Sequence, residues 1–167
     1  MPRRILIAYA SRYGSTAEVA QSIARALRSP ERSVDVMPAA QVSSVDGYDA
    51  VIVGSAVRFG TWLDEAHALL RRHRAALAAR PLAFFTLHMQ AAASDAGCAQ
   101  QAAYTSAARA IVVPGEEAFF LGALRPERLS FLDRMAVRMV GAPLKDLRDW
   151  AAIDAWAQAL PTRLRAQ

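Results

Sequence analysis

Ser11, Gly14, Ser15 and Thr16 stand together in Ser11-Arg12-Tyr13-Gly14-Ser15-Thr16, between an apolar run and the first helical pattern. A helix N-terminus offers unpaired backbone N–H groups and the positive end of the macrodipole. Three hydroxyl side chains beside it, and a glycine that lets backbone approach a ligand, make a place for one phosphate group. No lysine follows Gly14, so the nucleotide-triphosphate loop GxxxxGK[ST] is absent, and so is the GxGxxG of dinucleotide folds. Hydroxyls and amides without a metal suit a phosphate monoester. The same hydroxyls would equally serve as plain helix caps.

Two further groups carry potential chemistry. Ser55-Ala56-Val57-Arg58-Phe59-Gly60-Thr61-Trp62 follows an apolar strand pattern, and reads as a glycine-containing loop with two aromatic residues. Phe59 and Trp62 could wall a planar ring, or fold back onto a core. Leu87-His88-Met89-Gln90, followed by alanines, ends another apolar strand pattern. His88 could donate to a ring oxygen, or be polar packing only. His67, His73 and His88 have no metal-ligand spacing, and the single cysteine, Cys98, excludes an internal disulfide and a thiolate cluster. No metal is expected.

The elements that must position these groups follow from apolar periodicity. Arg4–Ala10 and Ala50–Gly54 are continuous apolar runs, the type buried on both faces of a parallel sheet. Pro81–Leu87 and Glu116–Gly122 read as the fourth and fifth strands, and Ser33–Met37 alternates like a half-exposed edge strand. Val19, Ala20, Ile23, Ala24 and Leu27 mark one face of the first helix. Helices are expected over about Leu63–Ala79, Cys98–Arg109 and Asp149–Leu160, with a strand-like connector at Ala110–Val113. Strand–helix alternation implies right-handed βαβ units, and ligands of such sheets bind beyond the carboxyl ends of the strands.

The stretch from about 123 to 148 is extra to that plan. Its middle is a helix ended by Gly141 and Pro143, with Phe131, Met135 and Met139 in one stripe and Arg134 and Arg138 beside it. Such a face could pack on the domain, rest on an anionic membrane or meet a large apolar ligand.

At 167 residues, 54% hydrophobic and 21% charged, the chain reads as one globular domain over 1–167, with no apolar run long enough to span a bilayer. Arg3-Arg4 before an apolar stretch imitates a secretory leader, but that stretch is short and runs into the hydroxyl loop, so a cytoplasmic location is expected. A net charge of +5 suits anionic partners. No aromatic-and-basic stacking platform for nucleic acid is visible, so none is expected. The oligomeric state is not legible.

The hydroxyl loop directly after the first strand resembles the phosphate loop of flavodoxins. Over nearly its whole length the chain resembles that superfamily. It is most similar to the bacterial flavodoxin-type protoporphyrinogen oxidase family through Gly54–Gly60, Gly122-Ala123-Leu124-Arg125, the basic helix and Arg148-Asp149-Trp150. The resemblance implies an α/β flavodoxin-like three-layer sandwich. Its five-stranded parallel sheet runs in the order 2-1-3-4-5, with the amphipathic basic helix inserted before the last helix. It also implies FMN, bound by Ser11, Arg12, Tyr13, Gly14, Ser15 and Thr16, by Ser55, Ala56, Val57, Arg58, Phe59, Gly60 and Trp62, and by Leu87, His88, Met89 and Gln90.

The activity so implied is oxidation of a porphyrinogen, with electrons passed to a membrane quinone. Arg58, Arg125 or Arg128 would hold substrate carboxylates. The flavin would carry the redox chemistry, and no side chain is required as general acid or base. A peripheral position on the cytoplasmic face of the inner membrane would fit, with residues 125–148 on the lipid. The family enzyme carries several basic residues after its fourth strand, whereas Ala91–Gln101 here is nearly uncharged. The rival readings are an electron-transfer flavodoxin and an FMN-less interaction domain. Familiar electron-carrier flavodoxins are acidic, and this chain is not.

Overall fold

A computed structural model describes residues 3–89, 95–139, 141 and 144–164, and of 95–98 the backbone alone. Five parallel strands form the sheet: β1 (Arg4–Ala10), β2 (Ser33–Pro38), β3 (Ala50–Arg58), β5 (Leu82–His88) and β6 (Glu116–Leu121). A two-residue strand, β4 (Thr61–Trp62), pairs antiparallel with the end of β3. The order is β2-β1-β3-β5-β6, the expected 2-1-3-4-5 once β4 is set aside.

Continuous apolar strands are needed because both faces are covered. Ile5, Ile7, Ile52, Phe85 and Leu87 point to one face, under α1 (Ser15–Leu27) and α6 (Trp150–Arg163). Leu6, Ala8, Val51, Val53 and Phe84 point to the other, under α2 (Asp64–Arg72), α3 (Arg74–Ala78) and α4 (Asp95–Ile111). The expected inner residues of α1 are all buried there, as are Ile153, Trp156, Ala157 and Leu160 of α6. The additional helix is α5 (Phe131–Met139). Gly141, at φ 66°, follows it, while Pro143 lies outside the described residues.

Four expectations about local structure are corrected. Ser55–Arg58 is not loop but the end of β3. The Ser55 hydroxyl donates to the Ala56 carbonyl at 2.8 Å and accepts from the Leu63 N–H at 3.0 Å, which holds the hairpin base closed. The helix expected over 63–79 divides at His73, whose φ of −111° and ψ of 19° leave the helical region. Ala110 and Ile111 finish α4 instead of forming a connector, since the Val112 N–H still bonds the Ala108 carbonyl at 3.1 Å. The closing helix begins at Trp150, with Asp149 as its cap accepting from the Ala152 N–H at 3.0 Å.

Candidate functional site

The carboxyl ends of the parallel strands β1, β3 and β5 lie on one rim, where the β1–α1 loop carries Ser11 and leads into Ser15 and Thr16. Gly14 precedes α1 with φ 91°, a left-handed conformation that a side chain would strain. The Ser11 hydroxyl accepts from the Gly14 N–H at 3.0 Å and so closes the turn. The N-cap position is Gly14, and among the described residues no side-chain cap bonds the first turn of α1, which leaves its amides open to another acceptor. Thr16 is fully buried, and its hydroxyl has no hydrogen-bond partner among the described residues. A buried orphan hydroxyl is costly unless something completes it. Left-handed glycine, uncapped helix and orphan hydroxyl together fit a phosphate. Beside the loop, Tyr9, Ser11, Gly14, Pro38, Ala39 and Glu65 line a cleft of about 340 Å³.

The second loop has shrunk to a two-residue hairpin. Arg58 pairs with Thr61, leaving Phe59 and Gly60 as its tip with φ 50° and 78°, the backbone of a type I′ turn. Phenylalanine in the left-handed region costs about 1–2 kcal/mol. Its ring is 89% exposed, with the Arg58 guanidinium 5.0 Å from its centroid. Strain that presents an apolar ring to solvent marks a surface built to be covered.

Trp62 does the opposite. It is 1% exposed, its indole N–H donates to the Thr86 hydroxyl at 2.9 Å, and its ring packs 4.8 Å from Phe84. The wall expected of Trp62 is therefore corrected to core packing. Leu87 and His88 are buried on opposite faces of β5: Leu87 lies in the α1/α6 core, and His88 Nε2 lies 3.1 Å from Gln101 Nε2 under α4. Both side chains are engaged by packing within the domain, Leu87 in that core and His88 beside the Tyr104 and Phe119 rings. Ala56, Val57 and Met89 are half-buried, and Gln90 lies outside the described residues.

The segment after β6 folds back onto α1. Arg148, 1% exposed, donates to Glu18 at 2.7 Å and also grips Asp146. Arg125 meets the Glu18 carboxylate through both terminal nitrogens, at 3.1 and 3.0 Å. Burial would raise the Glu18 carboxyl, but the hydrogen bonds and charges of Arg148 and Arg125 outweigh it and hold it below its usual range. Asp146 is held still lower, first by the Arg148 hydrogen bond. Arg125 is thus spent on its partners, and does not stand free for a substrate carboxylate as expected. Arg128 lies against the β1–α1 loop, donating to the Tyr13 carbonyl at 3.4 Å, and Arg58 stays on the rim, 3.8 Å from Asp133.

Asp133 ties α5 across the same rim. Burial first, then its hydrogen bond to Asp133, raises the Tyr13 phenol, while the Ser130 and Tyr13 hydrogen bonds keep the Asp133 carboxyl low. Arg12 is exposed beside this pair. Sequence reasoning missed Glu18, Asp133 and Asp146. Glu18 is paired with residues 107 and 130 positions away, beyond any local pattern.

Comparison with known proteins adds the ancestry of this arrangement. Residues 6–149 match the family described as Flavodoxin domain. The chain is 25% identical over 144 residues to the protoporphyrinogen IX dehydrogenase [quinone] of Escherichia coli (strain K12), covering 82% of this chain and 78% of that protein. It is 26% identical over 176 residues to the protein of the same description from Leishmania major, covering 95% and 76%. Among solved structures, a flavodoxin of Streptococcus pneumoniae TIGR4 superposes with a TM-score of 0.58 at 20% identity, covering 98% of each chain.

Proposed function

Because the chain belongs to the flavodoxin-domain family, we propose that it is an FMN-dependent oxidoreductase that oxidises protoporphyrinogen and passes the electrons to a quinone. The observation that carries the cofactor is the unpaired, fully buried Thr16 hydroxyl beside an uncapped α1 and a left-handed Gly14. The substrate rests on relatives of that activity covering most of the chain.

When bound, FMN supplies a two-electron redox centre. The chain's own residues bind and orient. Ser11, Ser15, Thr16 and the first amides of α1 would hold the phosphate, and Gly14 would let it approach. Phe59, exposed at the hairpin tip, would offer its aromatic face to the flavin ring. Arg58, paired with Thr61 next to the hairpin tip, is the arginine best placed to hold a substrate carboxylate, with Asp133 as its partner meanwhile. No helix among the described residues is long and apolar enough to cross a membrane. The exposed stripe of Phe131, Leu132, Met135 and Met139 on α5, flanked by Arg134 and Arg138, supports a resting contact with an anionic membrane, where a quinone would be met.

The test is anaerobic mixing of the FMN-loaded protein with protoporphyrinogen and then with a quinone, following the yellow absorbance. Bleaching by the first and recovery with the second is expected. A protein that takes up no FMN is not this enzyme. A protein that takes it up but is bleached only by a soluble reductase is an electron carrier. Gly14→Ala should weaken FMN binding, since its methyl group would fill the approach to the loop, 2.3 Å from Arg128 Nη1.

A further inference from the structure

The ion-pair cluster on α1 is unevenly shared. Glu18 has three arginine neighbours, and two of them satisfy it: Arg148 at 2.7 Å and Arg125 through two nitrogens at 3.1 and 3.0 Å. Arg128 comes only to 3.4 Å of the third kind of contact, with Glu18 Oε1, and to 3.4 Å of the Tyr13 carbonyl. Both are long for a charged hydrogen bond, which prefers about 2.7–2.9 Å. The Arg128 side chain is 47% exposed, against 1% for Arg148. Among the described residues three guanidiniums meet two carboxylates here, Glu18 and Asp146, so one positive charge is left over, and Arg128 carries it. That guanidinium lies directly over Gly14, where a Cβ would stand 2.3 Å from its Nη1.

We propose that Arg128 is a phosphate ligand of the β1–α1 loop, delivered by the extra segment after β6, and that it makes the site select a phosphorylated flavin over the unphosphorylated one. The inference rests on the FMN reading above. Glu18 sits in the first turn of α1, where its charge alone would oppose an incoming phosphate. Arg125 and Arg148 neutralise it and stay in place. Arg128 gives up two long contacts and takes two phosphate oxygens through its planar fork, an exchange that gains strength because the acceptor is doubly charged. The hydroxyls of the loop and the amides of α1 provide the remaining donors.

Flavin affinity measured by fluorescence quenching separates the possibilities, using FMN and riboflavin on wild-type protein, Arg128→Ala and Arg128→Lys. Arg128→Ala should lose roughly 10- to 100-fold in FMN affinity, the range for a hydrogen bond to a charged group, while riboflavin affinity stays within about twofold. Arg128→Lys should fall between, since it keeps the charge but not the fork. Inorganic phosphate should raise the melting temperature of the wild-type apoprotein and do so less for Arg128→Ala. Equal losses for both flavins, or no loss for either, overturn the assignment and leave the FMN reading standing. A wild-type protein that binds neither flavin overturns the reading and the selectivity with it.

Discussion

Arg148 Nη1 lies 2.7 Å from the Glu18 carboxylate, joining the first turns of α1 to the approach to α6 across 130 residues of sequence. Its side chain is 1% exposed and stacks 4.5 Å from the centre of the Trp150 ring, so the contact is also a packing element. Through it the extra segment is anchored on the helix whose N-terminus would hold the phosphate.

Arg148→Met should therefore cost about 2 kcal/mol, the usual loss for a charged hydrogen bond between partly buried groups. For a chain of this size that is a drop of roughly 4–8 °C in melting temperature. The loss should be accompanied by faster proteolysis within residues 123–149 than elsewhere. A variant that melts like the wild type, with uniform proteolysis, would show that the segment is held by something other than this arginine.

Trp62 gives a second expectation, because its two readings predict different losses. Its indole N–H holds the buried Thr86 hydroxyl at 2.9 Å. Trp62→Phe should lose about 1–3 kcal/mol of stability, for the hydroxyl left without its partner. FMN affinity should stay within about twofold, since a core role contributes less than about 0.4 kcal/mol to binding. Phe59→Ala should do the reverse, leaving stability unchanged or improved and weakening flavin binding. An unchanged melt with lost FMN in Trp62→Phe would return Trp62 to the ring wall.

How far these groups were legible follows from the distance over which each is specified. The buried strands and the inner face of α1 show in the sequence because a strand covered on both sides must be apolar at every position, as at Val51, Ile52 and Val53. The Ser11–Thr16 loop shows because hydroxyls, glycine and helix start are consecutive. The hairpin after Gly54 does not: Ser55-Ala56-Val57-Arg58 lacks the alternation of a strand, and the turn uses Phe59 where asparagine or glycine is usual. Trp62 reads as a loop residue until Thr86, from a different strand, meets its N–H. The break at His73 carries no glycine or proline to announce it. Glu18 is locally only a first-turn acid, favourable to the helix dipole. Only the return of the chain after β6 makes it the centre of an ion-pair cluster.

The exposed stripe of α5 predicts lipid dependence. Phe131, Leu132 and Met139 are each mostly exposed, with Arg134 and Arg138 beside them. The protein should sediment with phosphatidylglycerol vesicles and much less with phosphatidylcholine ones. Replacing Arg134 and Arg138 by glutamine should weaken the first about 30-fold, at about 1 kcal/mol for each charge near an anionic surface. Phe131→Ser with Met139→Ser should weaken both. Binding insensitive to all four changes would leave α5 without a role at lipid.

Acid should loosen the same segment for a reason whose sign is fixed. The Glu18 and Asp146 carboxyls lie below their ordinary values in the folded protein. Their unfolded values are about 4. Between the folded and unfolded values the unfolded chain binds more protons, so stability rises with pH there. The two carboxylates thus contribute fully above about pH 5 and lose their contribution as pH falls through the folded values. Urea unfolding of wild type and Glu18→Gln, from pH 7 downward, measures it: the wild type should be the more stable at pH 7, and the gap should begin to close below about pH 4 as Glu18 itself takes a proton. Raising salt at pH 7 should narrow the gap only in part, because Arg148 is buried and screening reaches exposed pairs first. A gap that stays constant from pH 7 to the acid limit would mean that Glu18 stabilises through its shape and packing, and that the arginines around it are held by other partners.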